Sequence, residues 1–466
     1  MELIQNINSF LWNDNVLYVV LAAGVLFTTW SGFCQYRALT HGLPVTLGRY
    51  DNPSDPGAIN HFQALSTAMS STVGLGNIGG VAIAISLGGP GALFWMWVVG
   101  VFGMALKVTE VTLAMMYRNL DDPTNPRGGP MWVSKRAFAE LGLPRLGLLI
   151  GSLYCLATII GSFTGGNMFQ AWNVADVTHT FFGWPRLLVG AILSITVALV
   201  IIGGIKRIGK VTSIIVPVMC IMYLIAGAYV LVLNLASLPS IFSMIIASAF
   251  NPTQASGAFV GGTMGSAMLW GMKRALYSSE AGLGSSAIAH SAAKTNEPVR
   301  EGIVAGLEPF IDTLVVCTIT GLIILSSGVW NRSADGLINE LPEFEEISTT
   351  QWQLPPVPIA NFSSEQNITP VFIAVTINDG ELIRVHGEIV SDAEGHRALF
   401  NNVFSLHPPS FRDNGVFKSY NGATLTAHAF NQTHDWLGIY LVTIAAWFFA
   451  ISTIIAQGYY GEQAVY

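Results

Sequence analysis

Apolar stretches of about 20 residues, the length that crosses a hydrocarbon core of about 30 Å, recur along the chain with short polar connections between them. Nine can be drawn: Val16 to Phe33, His61 to Leu87, Ala92 to Met116, Leu148 to Phe169, Leu187 to Ile202, Val211 to Leu235, Phe259 to His290, Ile303 to Val329 and Trp436 to Ile455. Each predicts a membrane-spanning helix. From about Asn331 to His434 the pattern changes. There "TPVFIAVTINDGELIRVHGEIV" alternates apolar and polar residues around Asn378, Asp379 and Gly380, and "RDNGVFKSYNGATLTAHAF" repeats the same turn-and-strand chemistry, so both predict paired strands. The chain reads as an all-α polytopic membrane protein with a small β-rich insertion. Its parts are a helical bundle over 1–330, the insertion over 331–433 and a further helix over 434–466.

Basic residues orient the helices. Arg37 and Arg49, then Arg118, Arg127, Lys135, Arg136 and Arg145, then Lys206, Arg207 and Lys210, then Lys294 and Arg300 fall in every second connection. The alternate short connections, Ala171 to Pro185 and Ala236 to Gly257 among them, lack Lys and Arg. By the positive-inside rule the N-terminus and the insertion are extracytoplasmic. The N-terminus lacks the basic region and cleavage site of a signal peptide, so the first helix is expected to be retained.

Composition agrees with a bilayer partner and excludes nucleic acid: 52% of residues are hydrophobic, only 11% are charged, and the net charge is -7 with no basic run. Cys34, Cys155, Cys220 and Cys317 lie in or beside apolar segments with no metal-ligand spacing, and read as small core residues. Asn331, Asn361, Asn367 and Asn431 head N-x-S/T triplets, a pattern common by chance in Ser/Thr-rich loops.

Two apolar segments are interrupted. "STVGLGNIGG", Ser71 to Gly80, places four glycines and an amide at membrane depth, where each glycine weakens a helix by about 1 kcal/mol relative to alanine. In "LWGMKRALYSSEAGLGSSAIAH", Tyr277, Ser278, Ser279 and Glu280 precede Gly282 and Gly284. Unwound backbone at that depth is tolerated where it lines a cavity, its carbonyls free for a cation and its N–H groups for a carboxylate. Breaks five segments apart are the spacing of inverted five-helix repeats that each begin with a broken helix. Glycine-rich packing faces would look the same.

"LGGPGALFWMWVVGVFGM", Leu87 to Met104, resembles the signature of the alanine or glycine:cation symporter family. "TVGLGNIGG" before it and "EAGLGSSAIAHSAAKT" after it are similar to other stretches of that family, and "TVGLGN" also resembles the first broken helix of the leucine-transporter-like fold. The resemblance implies Na+-coupled uptake of a small neutral amino acid, alanine or glycine, across the plasma membrane. It implies substrate contacts at Thr72, Val73, Gly74, Gly76, Asn167, Gln170 and Tyr277, the last an aromatic gate. It implies cation contacts at Thr72 and Asn77, at the carbonyls of Ser70 and Val73, at Ser278, and at the hydroxyls of Ser452 and Thr453. Where the family has Arg-Gly-Leu-Phe-Ser-Asn-Glu, this chain reads Arg274 to Glu280 as Arg-Ala-Leu-Tyr-Ser-Ser-Glu, a departure that bears on selectivity.

Glu110, Glu280, Glu308 and Asp312 lie inside apolar segments, where a charge must face a partner or a cavity. Asp312 is the candidate cation-site carboxylate, and Glu280 is expected to pair with Lys273 or Arg274. No hydrolytic triad order, HExxH or phosphate loop occurs, "GGPG" and "RGGPMW" read as turns, and an enzyme is not expected. Two five-helix repeats after one extra helix require about eleven segments against the nine drawn. The competing expectation is therefore a truncated, transporter-derived membrane sensor or amino-acid-binding protein without transport.

Overall fold

The structure is a computed structural model and describes residues 14–250, 264–362, 368–378, 381–392, 395–420 and 422–466. Phe259, Asn367, Asp379 and Gly380, singled out above, lie outside the described residues. In chain order the helices are α1 (Asp14–Trp30), α2 (Cys34–Thr46), α3 (His61–Thr72), α4 (Gly76–Gly88), α5 (Gly91–Met116), α6 (Pro130–Glu140), α7 (Pro144–Phe182), α8 (Arg186–Ile201), α9 (Gly204–Leu233), α10 (Leu235–Phe250), α11 (Met264–Ser279), α12 (Ser286–His290), α13 (Pro298–Ser326), α14 (Ala423–Asn431) and α15 (Leu437–Val465).

Five of these, α5, α7, α9, α13 and α15, are each long and apolar enough to cross a bilayer. Two further spans arise if α1 with α2, bent by 72°, and α3 with α4, bent by 48°, each count as one. The described residues thus give five to seven candidate spans where the sequence pattern predicts nine. The fifth predicted span, α8, is apolar but only 16 residues long, and the seventh is divided between α11 and α12.

Two stretches expected as connections are helical. Ala171 to Phe182 continues α7 until Gly183, at φ 69°, and Pro185 stop it. The stretch after Ala236 forms most of α10, whose Ile241, Ile245 and Ser248 bury one face. The lack of Lys and Arg in these stretches says nothing about helix content.

Along α7, Leu149, Leu153, Leu156 and Ile160 remain exposed at helical spacing, an apolar face suited to lipid. The interior is packed around the broken span, where Val73, Leu75, Ile78 and Val81 share one cluster with Met96, Tyr223, Phe430 and Phe449. The "GGPG" turn joins α4 to α5 with Gly89 at φ 73°.

Among the described residues ten strands occupy the insertion: β1 (Gly336–Ile338), β2 (Glu345–Ser348), β3 (Gln351–Gln353), β4 (Val357–Ala360), β5 (Ile368–Ile377), β6 (Glu381–Asp392), β7 (Gly395–Phe400), β8 (Val403–Phe404), β9 (Ser410–Phe411) and β10 (Gly415–Lys418). The larger sheet runs β10-β1-β4-β7-β6-β5, and β5 pairs back onto β10, closing an antiparallel barrel; β9 pairs with the far end of β5. The expected pairing across Asn378 is present, with Ile377 opposite Glu381 and Thr376 opposite Leu382. Val371, Ile373, Val375, Val385 and Ile389 fill the barrel interior.

Strand β5 is buried on both faces. On its outer face Phe372 stacks on its cross-strand partner Phe417 at 5.4 Å and lies under the Arg384 guanidinium. Arg384 in turn donates to Ser86 O at the end of α4, at 2.9 Å. The strands end at Lys418. The stretch Ala423–Asn431, placed with the β-rich insertion by the sequence pattern, is the buried helix α14, which packs on α4.

Candidate functional site

The first break begins where α3 ends. Asn60 and Gln63 cap the start of α3 reciprocally, and the chain leaves helical geometry at Val73, φ -81° and ψ 85°. It resumes through a wide, π-helical turn over Gly76–Gly80. Asn167 and Asp312 occupy similar wide turns, Ser162–Met168 and Phe310–Cys317. Such turns free backbone groups and recur at functional sites.

The glycines of the break are required by close approach from three sides. A Cβ on Gly74 would lie 2.7 Å from Thr453 Oγ1. One on Gly76 would lie 2.4 Å from Arg274 Nη2, and one on Gly80 2.6 Å from Arg274 Cζ. One on Gly79 would meet the backbone of Gly422 and Ala423 at 2.7 Å. The two glycines four residues apart form a groove for the Arg274 guanidinium.

In the second break, α11 ends at Ser279 and the chain turns through Glu280 (φ 52°), Gly282 (φ 86°) and Gly284 (φ 74°) before α12. Glu280 does not pair with Lys273 or Arg274. Its carboxylate accepts from Gln457 Nε2 at 2.8 Å, Ser71 Oγ at 3.2 Å and Ser285 Oγ. Lys273 instead lies over Trp270 and Arg274 over the Tyr277 ring.

Between the breaks lies a buried oxygen cluster centred on Asp312. Asp312 Oδ1 accepts from Asn77 Nδ2 and, at 2.9 Å, from Ser278 Oγ; Oδ2 accepts from Thr313 Oγ1 at 2.7 Å. Asn77 Oδ1 accepts from Gly74 N and from Ser278 Oγ, each at 3.2 Å. One carboxylate among neutral oxygens is the donor set that a hard cation prefers. Asn77, Ser278 and Asp312, separated by up to 235 residues in sequence, are thus brought together.

The other candidates divide. Gln170 Oε1 accepts from Leu75 N at 3.3 Å, joining α7 to the first break. Tyr277 OH reaches Gly165 O at 3.4 Å and its ring meets Phe169 edge-on. Thr453 Oγ1 and Asn167 Oδ1 are buried with no hydrogen-bond partner among the described residues. Val73 is fully buried at the bend. The hydroxyls of Ser70, Thr72 and Ser452 turn back to their own chain, onto Thr67 O, Met69 O and Phe449 O.

Two participants escaped the sequence pattern. Thr313 completes the Asp312 cluster, and its signal was a hydroxyl beside an intramembrane carboxylate. Arg274 is buried, with Nε and Nη2 lacking hydrogen-bond partners among the described residues. Its signal was a glycine pair at helical spacing in another segment, which sequence alone cannot connect to it.

Comparisons with known proteins bear on this arrangement. The chain is 44% identical over 331 residues to "Sodium/alanine symporter AgcS" of Methanococcus maripaludis, 71% of each chain. It is 33% identical over 336 residues to "Amino-acid carrier protein AlsT" of Bacillus subtilis, 72% of this chain and 69% of that one. It is 35% identical over 324 residues to "Probable sodium/glutamine symporter GlnT" of Bacillus subtilis, 70% of this chain and 65% of that one. These are transporters and not enzymes, and residues 1–350 match the model of the same group. With its apolar spans and two broken helices, the chain is a multi-pass membrane protein that belongs to the sodium:alanine symporter family.

Proposed function

We propose that this protein imports a small neutral amino acid, alanine or glycine, together with Na+, by alternating access in a leucine-transporter-like bundle. Na+ takes the oxygen cluster of Asn77, Ser278 and Asp312, with Thr313 as a further donor. A second Na+ position uses the carbonyls of Ser70 and Val73 with Thr453, whose free hydroxyl supports that role; Ser452 would turn toward that ion to join it, and Thr72 toward the first, beside Asn77. The substrate lies along the unwound backbone of Val73, Gly74 and Gly76, between Gln170, Asn167 and Tyr277.

The unpaired Arg274 nitrogens supply a charge-assisted grip on the substrate carboxylate. Cation binding neutralises Asp312 and draws α4, α11 and α13 together, and rocking of one helix group on the other then opens the site inward. The N-terminus and the 331–433 insertion face the extracytoplasmic side. The observation that carries this reading is the convergence of both breaks on the buried Asp312 carboxylate.

Purified protein in liposomes, given an inward Na+ gradient, is expected to accumulate radiolabelled alanine, and Asn77→Ala to abolish that accumulation. Normal Na+-driven uptake by Asn77→Ala would remove the site assignment. Alanine entry unaffected by the gradient in the unaltered protein would remove the function.

A further inference from the structure

Away from the Asp312 cluster, a second buried assembly joins α3, α5, α12 and α13. His61 Nδ1 contacts Glu301 Oε2; His290 Nδ1 contacts Glu301 Oε1 at 2.5 Å; His290 Nε2 contacts Glu308 Oε1 at 2.9 Å. Glu308 Oε2 lies 3.4 Å from Lys107 Nζ, and Lys107 lies 3.4 Å from Glu110 Oε1. At one end His61 Nε2 lies 3.8 Å from Asp51, which is 39% exposed. At the other, Glu110 accepts from the N–H groups of Gly282 and Gly284, and Lys107 donates to Ser286 Oγ at 2.5 Å. The row therefore runs from solvent to the turn of the second break.

Proton counting makes this row more than a set of ion pairs. Both nitrogens of His290 face carboxylate oxygens, whereas a neutral imidazole has one N–H to give. Holding both contacts needs one proton more than neutral imidazoles and ionised carboxylates provide. Charge gives the same answer, because with neutral imidazoles two buried carboxylates, Glu301 and Glu308, and the partly buried Glu110 face one ammonium, Lys107. Unpaired buried charge is strongly unfavourable.

Tyr154, near Glu110, has its hydroxyl buried with no hydrogen-bond partner among the described residues. Arg118, Arg300, Asp55, Glu280 and Tyr460, also nearby, are held elsewhere. Arg118 donates to the carbonyls of Ser291, Ala293 and Thr295. Arg300 binds Tyr50 O and Glu297, Asp55 accepts from Asn296, Glu280 is bound as described above, and Tyr460 OH meets Ser71.

We propose that His290, clamped between Glu301 and Glu308, is a proton-binding site, and that the row from Asp51 through His61 and Glu301 exchanges its proton with solvent during the transport cycle. Chains of Asp, Glu and His at membrane depth serve this purpose in other carriers, and an imidazole relays by accepting at one nitrogen while releasing from the other. In each hop an N–H bond breaks as an O–H bond forms, or the reverse, and the proton enters or leaves as hydronium at Asp51. Through Glu110 and Lys107, the charge of the site is felt at the turn over Gly282 and Gly284, an element of the proposed transport site.

The inference rests on the transport reading above, and the experiment separates the two. Detergent-solubilised protein in weak buffer with a pH-sensitive dye is mixed with Na+ and alanine, and proton uptake or release is read beside alanine binding. The unaltered protein is expected to exchange up to about one proton per chain, with a Na+-driven uptake rate that depends on pH. His290→Gln is expected to bind alanine, exchange no proton and show a flat pH profile. His61→Gln, which keeps His290, is expected to retain the exchange at equilibrium and slow it. Unchanged proton exchange in His290→Gln would overturn the proposal. So would the absence of exchange in unaltered protein that transports normally, a result that can be read even if a variant does not fold. Loss of Na+-driven uptake in the unaltered protein would overturn the transport reading instead.

Discussion

Replacing Gly79 with alanine tests the contact between the first break and α14. The added Cβ would lie 2.7 Å from Ala423 N and Gly422 C and 2.8 Å from Gly422 Cα. These are backbone atoms with no rotamer to change, and the same helix is tied to the break by Thr426 Oγ1 donating to Ile78 O at 2.9 Å. Restoring ordinary contact requires α14 to retreat by roughly 0.7 Å or more, and such overpacking costs about 1–3 kcal/mol. Against this stands the gain of about 0.5–1 kcal/mol from replacing glycine in a helical turn. The balance is destabilising, by up to about 2.5 kcal/mol.

Gly190 in α8 provides the control, since a Cβ there meets nothing within 4 Å and only the gain remains. A thiol-reactive dye can follow the unfolding of detergent-purified protein, because Cys34, Cys220 and Cys317 are buried. Gly79→Ala is expected to melt below the unaltered protein and Gly190→Ala at or above it. A Gly79→Ala variant that melts as high as Gly190→Ala would refute the claim that backbone contact, and not propensity, dictates this glycine.

Three further expectations follow from the site and its surroundings. Arg274→Lys gives up the planar fork of donors, so the KM for alanine is expected to rise by about tenfold or more while the Na+ dependence changes less; an unchanged KM would remove Arg274 from the substrate site. Gly74→Ala is expected to lose folded protein and with it uptake, and the double variant Gly74→Ala with Thr453→Ala, which clears the 2.7 Å approach to Thr453 Oγ1, to regain folded protein; absence of any recovery would show that the two positions do not share that space. Arg384→Met keeps apolar cover over Phe372 but loses the bond to Ser86 O, a loss of about 1.5–3 kcal/mol for a charged donor, and proteolysis of the segments flanking the barrel is expected to quicken; an unchanged cleavage rate would refute the tether.

What could be read before folding was set by the range of each signal. The breaks were legible because Gly74, Gly76, Gly79 and Gly80, and again Gly282 and Gly284, contradict an apolar helix locally. The turn at Asn378 was legible because hairpin chemistry is confined to a few residues. The contacts that explain those glycines were not, since Arg274, Thr453 and Gly422 come from 194 to 379 residues away. The helical character of the α10 stretch was hidden because this apolar helix is shorter than the stretch of about 20 residues by which spans were drawn, and missing basic residues track sidedness and not backbone geometry. His290 looked like one of nine scattered histidines; only the packing of α12 on α13 and α3 reveals that Glu301, Glu308 and His61 surround the same few atoms.

The closure of the barrel carries a consequence for how such an element enters a membrane protein. Its first and last strands are direct neighbours, with Gly336 opposite Val416 and Leu337 opposite Gly415, so the chain enters and leaves the barrel at points about 5 Å apart. A loop that receives it need open by no more than the width of one strand pair, and the host on either side meets a gap that a tight turn could bridge. The barrel is wired like a plug with both leads at one end, so its place in the chain asks for no wide separation of the segments on either side.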